Sequence, residues 1–134
     1  MSTSKYTKVS ILVPRKKGMT EAEFHRHWAN HHGPLVTSWL RRYGIIRYSQ
    51  VHITPEHKAK GQALGSGPTF DGIAEFLIEE YDMMAKAYKD QEYFDKIRPD
   101  EEKFIDLENA VFSIGKELTV IDKNEAVPYG DTGY

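Results

Sequence analysis

Phe24-His25-Arg26-His27-Trp28-Ala29-Asn30-His31-His32-Gly33-Pro34-Leu35-Val36 holds four of the six histidines of this 134-residue chain, and the architecture follows from how this stretch begins and ends. Just before it, Thr20-Glu21-Ala22-Glu23 has the form of a capping box, with Met19 and Phe24 at hydrophobic-staple positions, so a helix starts near residue 21. Glycine accepts the left-handed conformation that ends helices and proline cannot continue one, so the helix is expected to stop at Gly33-Pro34. His32 then sits at a helix end, where the last carbonyls favour a protonated imidazole. On a helical wheel Phe24, Trp28 and His31 share the packed face, His27 borders it, and His32 leaves it obliquely.

Outward from this helix, Lys8 to Pro14 alternates as a strand, with Val9, Ile11 and Val13 on one face and Lys8, Ser10 and Leu12 on the other. Arg15-Lys16-Lys17-Gly18 reads as a solvated loop. Residues 35–43 suit one or two helical turns ended by Gly44. A second strand over 45–54 puts Ile45, Val51 and Ile53 on one face and Tyr48, Gln50 and His52 on the other. The glycine-punctuated 55–70 segment, with at most one helical turn, is expected to be a lid. A third strand covers 71–78, and helical stretches over 82–88 and 92–97 break near Pro99 and resume over 101–104. Met83, Met84, Tyr88, Tyr93 and Phe94 belong to core and cavity wall. Residues 110–121 form a fourth strand with a possible bulge at Gly115, and 122–134 a tail without periodicity.

The order β-α-β-β-α-β is the ferredoxin-like motif, an α+β fold, in a single domain spanning 1–134 with its core over 8–121. Right-handed crossovers place both helical regions on one side of the sheet. The other face is expected to carry Ser10, Leu12, Tyr48, Gln50, His52, Ile73, Glu75 and Leu77, which is too apolar for open solvent. A homodimer enclosing a cavity between two such sheets, a dimeric α/β barrel, accounts for it.

A formal charge of −2 with interspersed signs offers no nucleic-acid footprint. Cysteine is absent, which removes disulfides, thiolate metal sites and a cysteine nucleophile. No leader or membrane-spanning run is visible, so no membrane partner and a cytoplasmic location are expected. Phosphate-cradle and nucleophile-elbow motifs are missing, so no nucleotide or flavin cofactor is implied. His27 and His31 have a metal-gripping spacing, but no third ligand is evident nearby and Trp28 crowds the face, so no metal is expected. What remains is cofactor-free proton transfer on a small molecule. His32 is the principal candidate, against a purely capping role. His52 projects from the sheet with Tyr48 and Gln50; His31 suits core packing, and His25 and His57 solvent. Asp71 and Glu75 share a strand face about 13 Å apart, too far for a dyad. Each is a candidate base or histidine-orienting group, against a salt bridge to Arg47 or a lysine.

Phe24-x3-Trp28-x2-His31-His32-Gly33-Pro34-Leu35 resembles the signature of the EthD-like family, within the dimeric α/β-barrel group. Residues 39–45, Phe70-Asp71-Gly72-Ile73-Ala74, and Tyr93-Phe94 followed by Arg98-Pro99-Asp100-Glu101 look like the subset found in fungal aromatic-polyketide clusters. The resemblance implies a lyase that decarboxylates or dehydrates an anthrone-type acid such as atrochrysone carboxylic acid. On that reading His32, His52 and Asp71 are the catalytic candidates, and Tyr48, Gln50, Glu75, Ser10 and Trp28 hold the aromatic substrate. A cofactor-free monooxygenase, a polyketide cyclase and a non-catalytic carrier of aromatic intermediates are the alternatives on the same fold.

Overall fold

The computed structural model describes residues 6–65 and 70–128. Strands β1 (Thr7–Val13), β2 (Arg47–His52), β3 (Gly72–Ile78) and β4 (Val111–Lys116) form one antiparallel sheet in the order β2-β3-β1-β4. Between them run α1 (Glu21–His27), α2 (Gly33–Arg42), α3 (Pro55–Leu64), α4 (Tyr81–Lys89) and α5 (Arg98–Phe104). Val9, Ile11 and Val13 from β1 and Ala74, Phe76 and Ile78 from β3 form the sheet side of the core. Phe24, Trp28, Trp39, Ile97 and Phe104 close it from the helices.

The capping box at Thr20 and Glu23 is formed as expected. Its helix, however, does not end at Gly33-Pro34. Residues Trp28–His32 widen into a π-helical turn in which the Gly33 amide donates to the Trp28 carbonyl, and α2 follows with Pro34 in its first turn. Proline inside a helix lacks a donor and its ring collides with a carbonyl one turn back; the wider turn relieves both. The same device recurs in the second half, where Tyr93–Ile97 is π-helical, the Arg98 amide donates to Tyr93, and Pro99 opens α5. Helix α2 does stop at Gly44, whose φ of +73° lies in the left-handed region that favours glycine.

Strand β2 has the opposite facing to that expected. Its register with β3 pairs Ser49 with Glu75 and Val51 with Ile73, so Arg47, Ser49 and Val51 share the open face with Lys8, Ser10, Leu12, Ile73, Glu75 and Leu77. Tyr48, Gln50 and His52 turn toward the helices. A one-residue change of facing moves every side chain of a strand. Here it lets Tyr48 stack on Phe76 at 4.9 Å and lets the Gln50 amide donate to the Trp28 carbonyl at 3.0 Å.

The 55–70 segment is mostly helix: α3 carries its own capping box, with Thr54 and His57, and Pro55 in its first turn. No described residue of it lines the cavity reported below, and 66–69 lie outside the described set. Strand β4 pairs residue for residue with β1 through Gly115, without a bulge, and ends at Lys116. A short hairpin follows, β5 (Ile121–Asp122) and β6 (Glu125–Ala126), turned by Lys123 and Asn124 at positive φ. The rest of the expected tail, 129–134, lies outside the described residues.

Arg15 is not a solvated loop residue. Its backbone amide and guanidinium both donate to Asp71, at 2.9 and 2.7 Å, and Lys58 of α3 donates to the same carboxylate at 2.9 Å. Burial alone would raise the Asp71 pKa, but the hydrogen bonds from Lys58 and Arg15 hold it below the ordinary carboxylate value. A carboxyl depressed in the folded state binds its proton more tightly when unfolded, so its stabilisation is complete above about pH 4 and fades as the pH falls further. Asp71→Asn should therefore remove about 2 kcal/mol at pH 7 and flatten the loss of stability below about pH 4, read by urea unfolding across pH.

Candidate active site

The two π-helical turns bring His32, the last residue of the first, against Asp100 in the first turn of α5. His32 Nδ1 stands 2.8 Å from Asp100 Oδ2, with both residues buried, and His27 Nε2 lies 3.0 Å from Oδ1. His31 Nε2 is 3.2 Å from that same oxygen. The Phe104 ring packs on both His27 and His32 at 4.8 and 4.9 Å. With Asp100 accepting from Nδ1, a neutral His32 presents an unprotonated Nε2. Burial lowers the His32 pKa, with Asp100 opposing. This reverses the direction expected from a helix end, because the helix does not end there and burial dominates.

His32 lines a cavity of about 820 Å³, within the roughly 300–1,000 Å³ usual for small-molecule sites. The cavity lies between the helices and the inner face of the sheet, not between two sheets. Its floor is Val9, Ile11 and Phe76, and on the β4 side Phe112 and Ile114 line it while still reaching solvent, at 61% and 53% exposure. Tyr48, Tyr88 and Tyr93 are all raised above the ordinary phenol range, chiefly by burial, and so stand as neutral hydroxyl donors. Tyr93 donates to Glu101 at 2.6 Å; burial pushes that carboxyl up to about 7 despite this bond. Arg98, Asp82, Lys89 and Tyr81 also line it.

Of the residues singled out in the sequence, His32, Trp28 and Tyr48 line this cavity. Gln50 does not, but its amide donates to the Tyr48 hydroxyl at 3.0 Å and so orients it. His52 lies behind, 2.9 Å from Gln50 Oε1 and 2.7 Å from His25 Nδ1, with its ring 4.7 Å from that of Trp28. Burial and His25 lower its pKa. Asp71 is outside the lining, in the Arg15–Lys58 ion pair. Ser10 and Glu75 are paired across β1 and β3 on the sheet's opposite face, where Glu75 lies 3.7 Å from Lys8. The structure thus separates all three from His32: strand alternation puts Ser10 and Glu75 on the face away from the helices, and Asp71, just before β3, is held by Arg15 and by Lys58 of α3.

Asp100 and Glu101 were missed as functional candidates. The sequence does carry a signal: Ile97, Asp100, Glu101 and Phe104 fall on one helical face, so two carboxylates interrupt an apolar stripe. Among the described residues, the group able to hold a metal is His27, His31 and Asp100, whose ligand atoms lie within 4.8 Å of one another.

A ferredoxin-like sheet with its helices on one side, and a buried histidine–aspartate pair whose histidine lines a cavity between them, defines the class of this α+β domain. The chain belongs to the EthD domain family, whose model matches residues 16–108. It is 26% identical over 129 residues to the conidial pigment biosynthesis dehydratase EthD of Metarhizium robertsii, covering 90% of this chain and 88% of that protein. It is likewise 26% identical over 129 residues to the decarboxylase nsrE of Aspergillus novofumigatus, covering 92% and 85%. A dimeric protein of unknown function and ferredoxin-like fold from Bacteroides fragilis superposes with a TM-score of 0.60 at 9% identity, over 84% of this chain and 97% of that one. That likeness is one of fold. No helix among the described residues is long and apolar enough to cross a membrane.

Proposed function

We propose that this protein is a cofactor-independent lyase of aromatic polyketide biosynthesis that dehydrates or decarboxylates an anthrone-type carboxylic acid. The observation that carries the reading is the His32–Asp100 pair at the wall of an apolar cavity that also holds Glu101 and three neutral tyrosine hydroxyls. The names of the fungal relatives support the reaction class.

The aromatic body of such an acid suits the Val9, Ile11, Phe76 and Trp28 surfaces. In dehydration, His32 Nε2 takes the proton from the carbon next to the substrate carbonyl. The electron pair moves toward the departing hydroxyl, which leaves as water after receiving a proton from Glu101. In decarboxylation the carboxylate's bond to the ring breaks, its pair is held as an enolate, and a proton is returned at carbon. In both, charge develops on an oxygen that a tyrosine hydroxyl can hydrogen-bond, and one such donor contributes roughly 3 kcal/mol. Asp100 holds His32 in the useful tautomer and faces the imidazolium that forms.

The test is turnover of a panel of anthrone-type acids by metal-stripped protein, with mass detection of lost CO₂ or lost water and an oxygen electrode in parallel. Loss of either fragment without oxygen uptake is expected. Oxygen consumption would replace the lyase with an oxygenase, and saturable binding without product would leave a carrier.

The open sheet face, with Leu12, Val51, Ile73, Leu77 and Val111, is proposed as a homodimer interface in a dimeric α/β barrel; the Bacteroides structure is described as dimeric. Ile73→Glu places a charge on that face away from the cavity. It should convert a sedimenting dimer to a monomer at micromolar concentration, and an unchanged sedimentation coefficient would refute this interface.

A further inference from the structure

We propose that His27, His31 and Asp100 bind one divalent first-row transition-metal ion of the zinc type on the side of Asp100 turned away from the cavity. Three observations carry it. The first is geometric. A tetrahedral ion with bonds of roughly 2.0–2.1 Å holds its ligand atoms about 3.3 Å apart. Asp100 Oδ1 already stands 3.0 Å from His27 Nε2 and 3.2 Å from His31 Nε2. The remaining nitrogen-to-nitrogen edge is at most 4.8 Å, and His31, 59% exposed, is free to close it by a small swing of its ring.

The second is charge. Asp100 is 3% exposed, and among the described residues its ion-pairing partners are imidazoles alone, with no lysine or arginine. A carboxylate withdrawn from water in this way draws a cation. The third is support behind the ligand. His32 Nδ1 holds Oδ2, which fixes the carboxylate and leaves Oδ1 facing the two histidines.

Two imidazoles and one carboxylate suit zinc, cobalt or nickel, whereas magnesium and calcium prefer all-oxygen shells. Three protein ligands leave a fourth position for water. None of the three residues lines the cavity, so the ion enters from solvent past His31 and ties the first π-helical turn to α5. The proposal does not depend on the lyase reading. It also supplies what the His27/His31 spacing lacked, a third ligand far along the chain.

The test uses the untagged, full-length, chelator-stripped protein titrated with Co²⁺ under visible absorption and with Zn²⁺ by calorimetry. One ion per chain, a cobalt d–d band and a melting temperature that climbs with free Zn²⁺ are expected. His31→Ala should weaken binding by about a hundredfold while keeping the wild-type circular dichroism of the metal-free chain. His27→Gln is the second variant, should His31→Ala fail to fold. Absence of saturable uptake up to millimolar Co²⁺, or undiminished uptake by a folded variant, would overturn the site.

Discussion

Replacing His32 with glutamine should lower kcat by about a hundredfold or more with little change in KM, because glutamine can still donate to Asp100 but has no nitrogen that cycles a proton. The size of the loss follows from position. His32 is 6% exposed, one ring nitrogen is occupied by Asp100, and the ring lies in the cavity wall. A histidine that merely fastened the first π-helical turn to α5 would behave differently. Glutamine would then preserve the fastening, and the folded variant would turn over at a rate near wild type. Single-turnover kinetics on the substrate found in the panel assay separate these results. A loss smaller than about threefold in a variant of unchanged melting temperature would remove His32 from the chemistry.

Gly72→Ala should destabilise the fold by about 2–3 kcal/mol, or about 10 °C in melting temperature for a domain of this size. A methyl group at residue 72 would lie 2.3 Å from Trp28 Cζ3, 2.8 Å from Cη2 and 3.0 Å from the Val51 carbonyl. Trp28 has nowhere to go, since its ring packs against Phe24 at 5.5 Å and His52 at 4.7 Å. The requirement for glycine is one of space, as the φ of residue 72 is not in the left-handed region. Gly115→Ala on β4 is the control: nothing lies within 4 Å of the added methyl, so its effect should stay within about 0.5 kcal/mol. Equal melting temperatures for the two variants would mean that Trp28 does not lie over β3 as described. Because Trp28 also lines the cavity, any Gly72→Ala protein that folds should bind the aromatic acid more weakly.

Much was legible locally. The capping box at Thr20, the strand alternation of Val9, Ile11 and Val13, and the Gly44 stop are each set by a few neighbouring residues, and each is present. The β-α-β-β-α-β order followed from them. The end of the first helix was misread because a proline can also follow a π-helical turn, as Pro34 does here and Pro99 does after Arg98. A glycine and a proline in a row say that ordinary helix geometry must change, without saying whether the chain leaves the helix or widens it. The recurrence of the device before Pro99 shows that widening is how this fold carries proline through both of its helical regions. The 55–64 stretch, with two lysines and no buried residue, has no apolar face, so periodicity could not mark it as helix; its Thr54–His57 cap could have.

By itself the sequence determined the four strands of the sheet, the start of the first helix, the β-α-β-β-α-β order and the family resemblance, and it offered His32 as a candidate, because these depend on backbone preferences and on residue types within one turn or one strand. The tertiary structure decided the rest. Tyr48 and Gln50 face the helices because the Trp28 carbonyl and Phe76 ring are there to receive them, which no alternation pattern can say of an isolated strand. The partner of His32 is Asp100, 68 residues away, and it is buried only because two π-helical turns meet. Pairings over such distances are set by packing, which here takes a carboxylate out of water and leaves imidazoles as its neighbours.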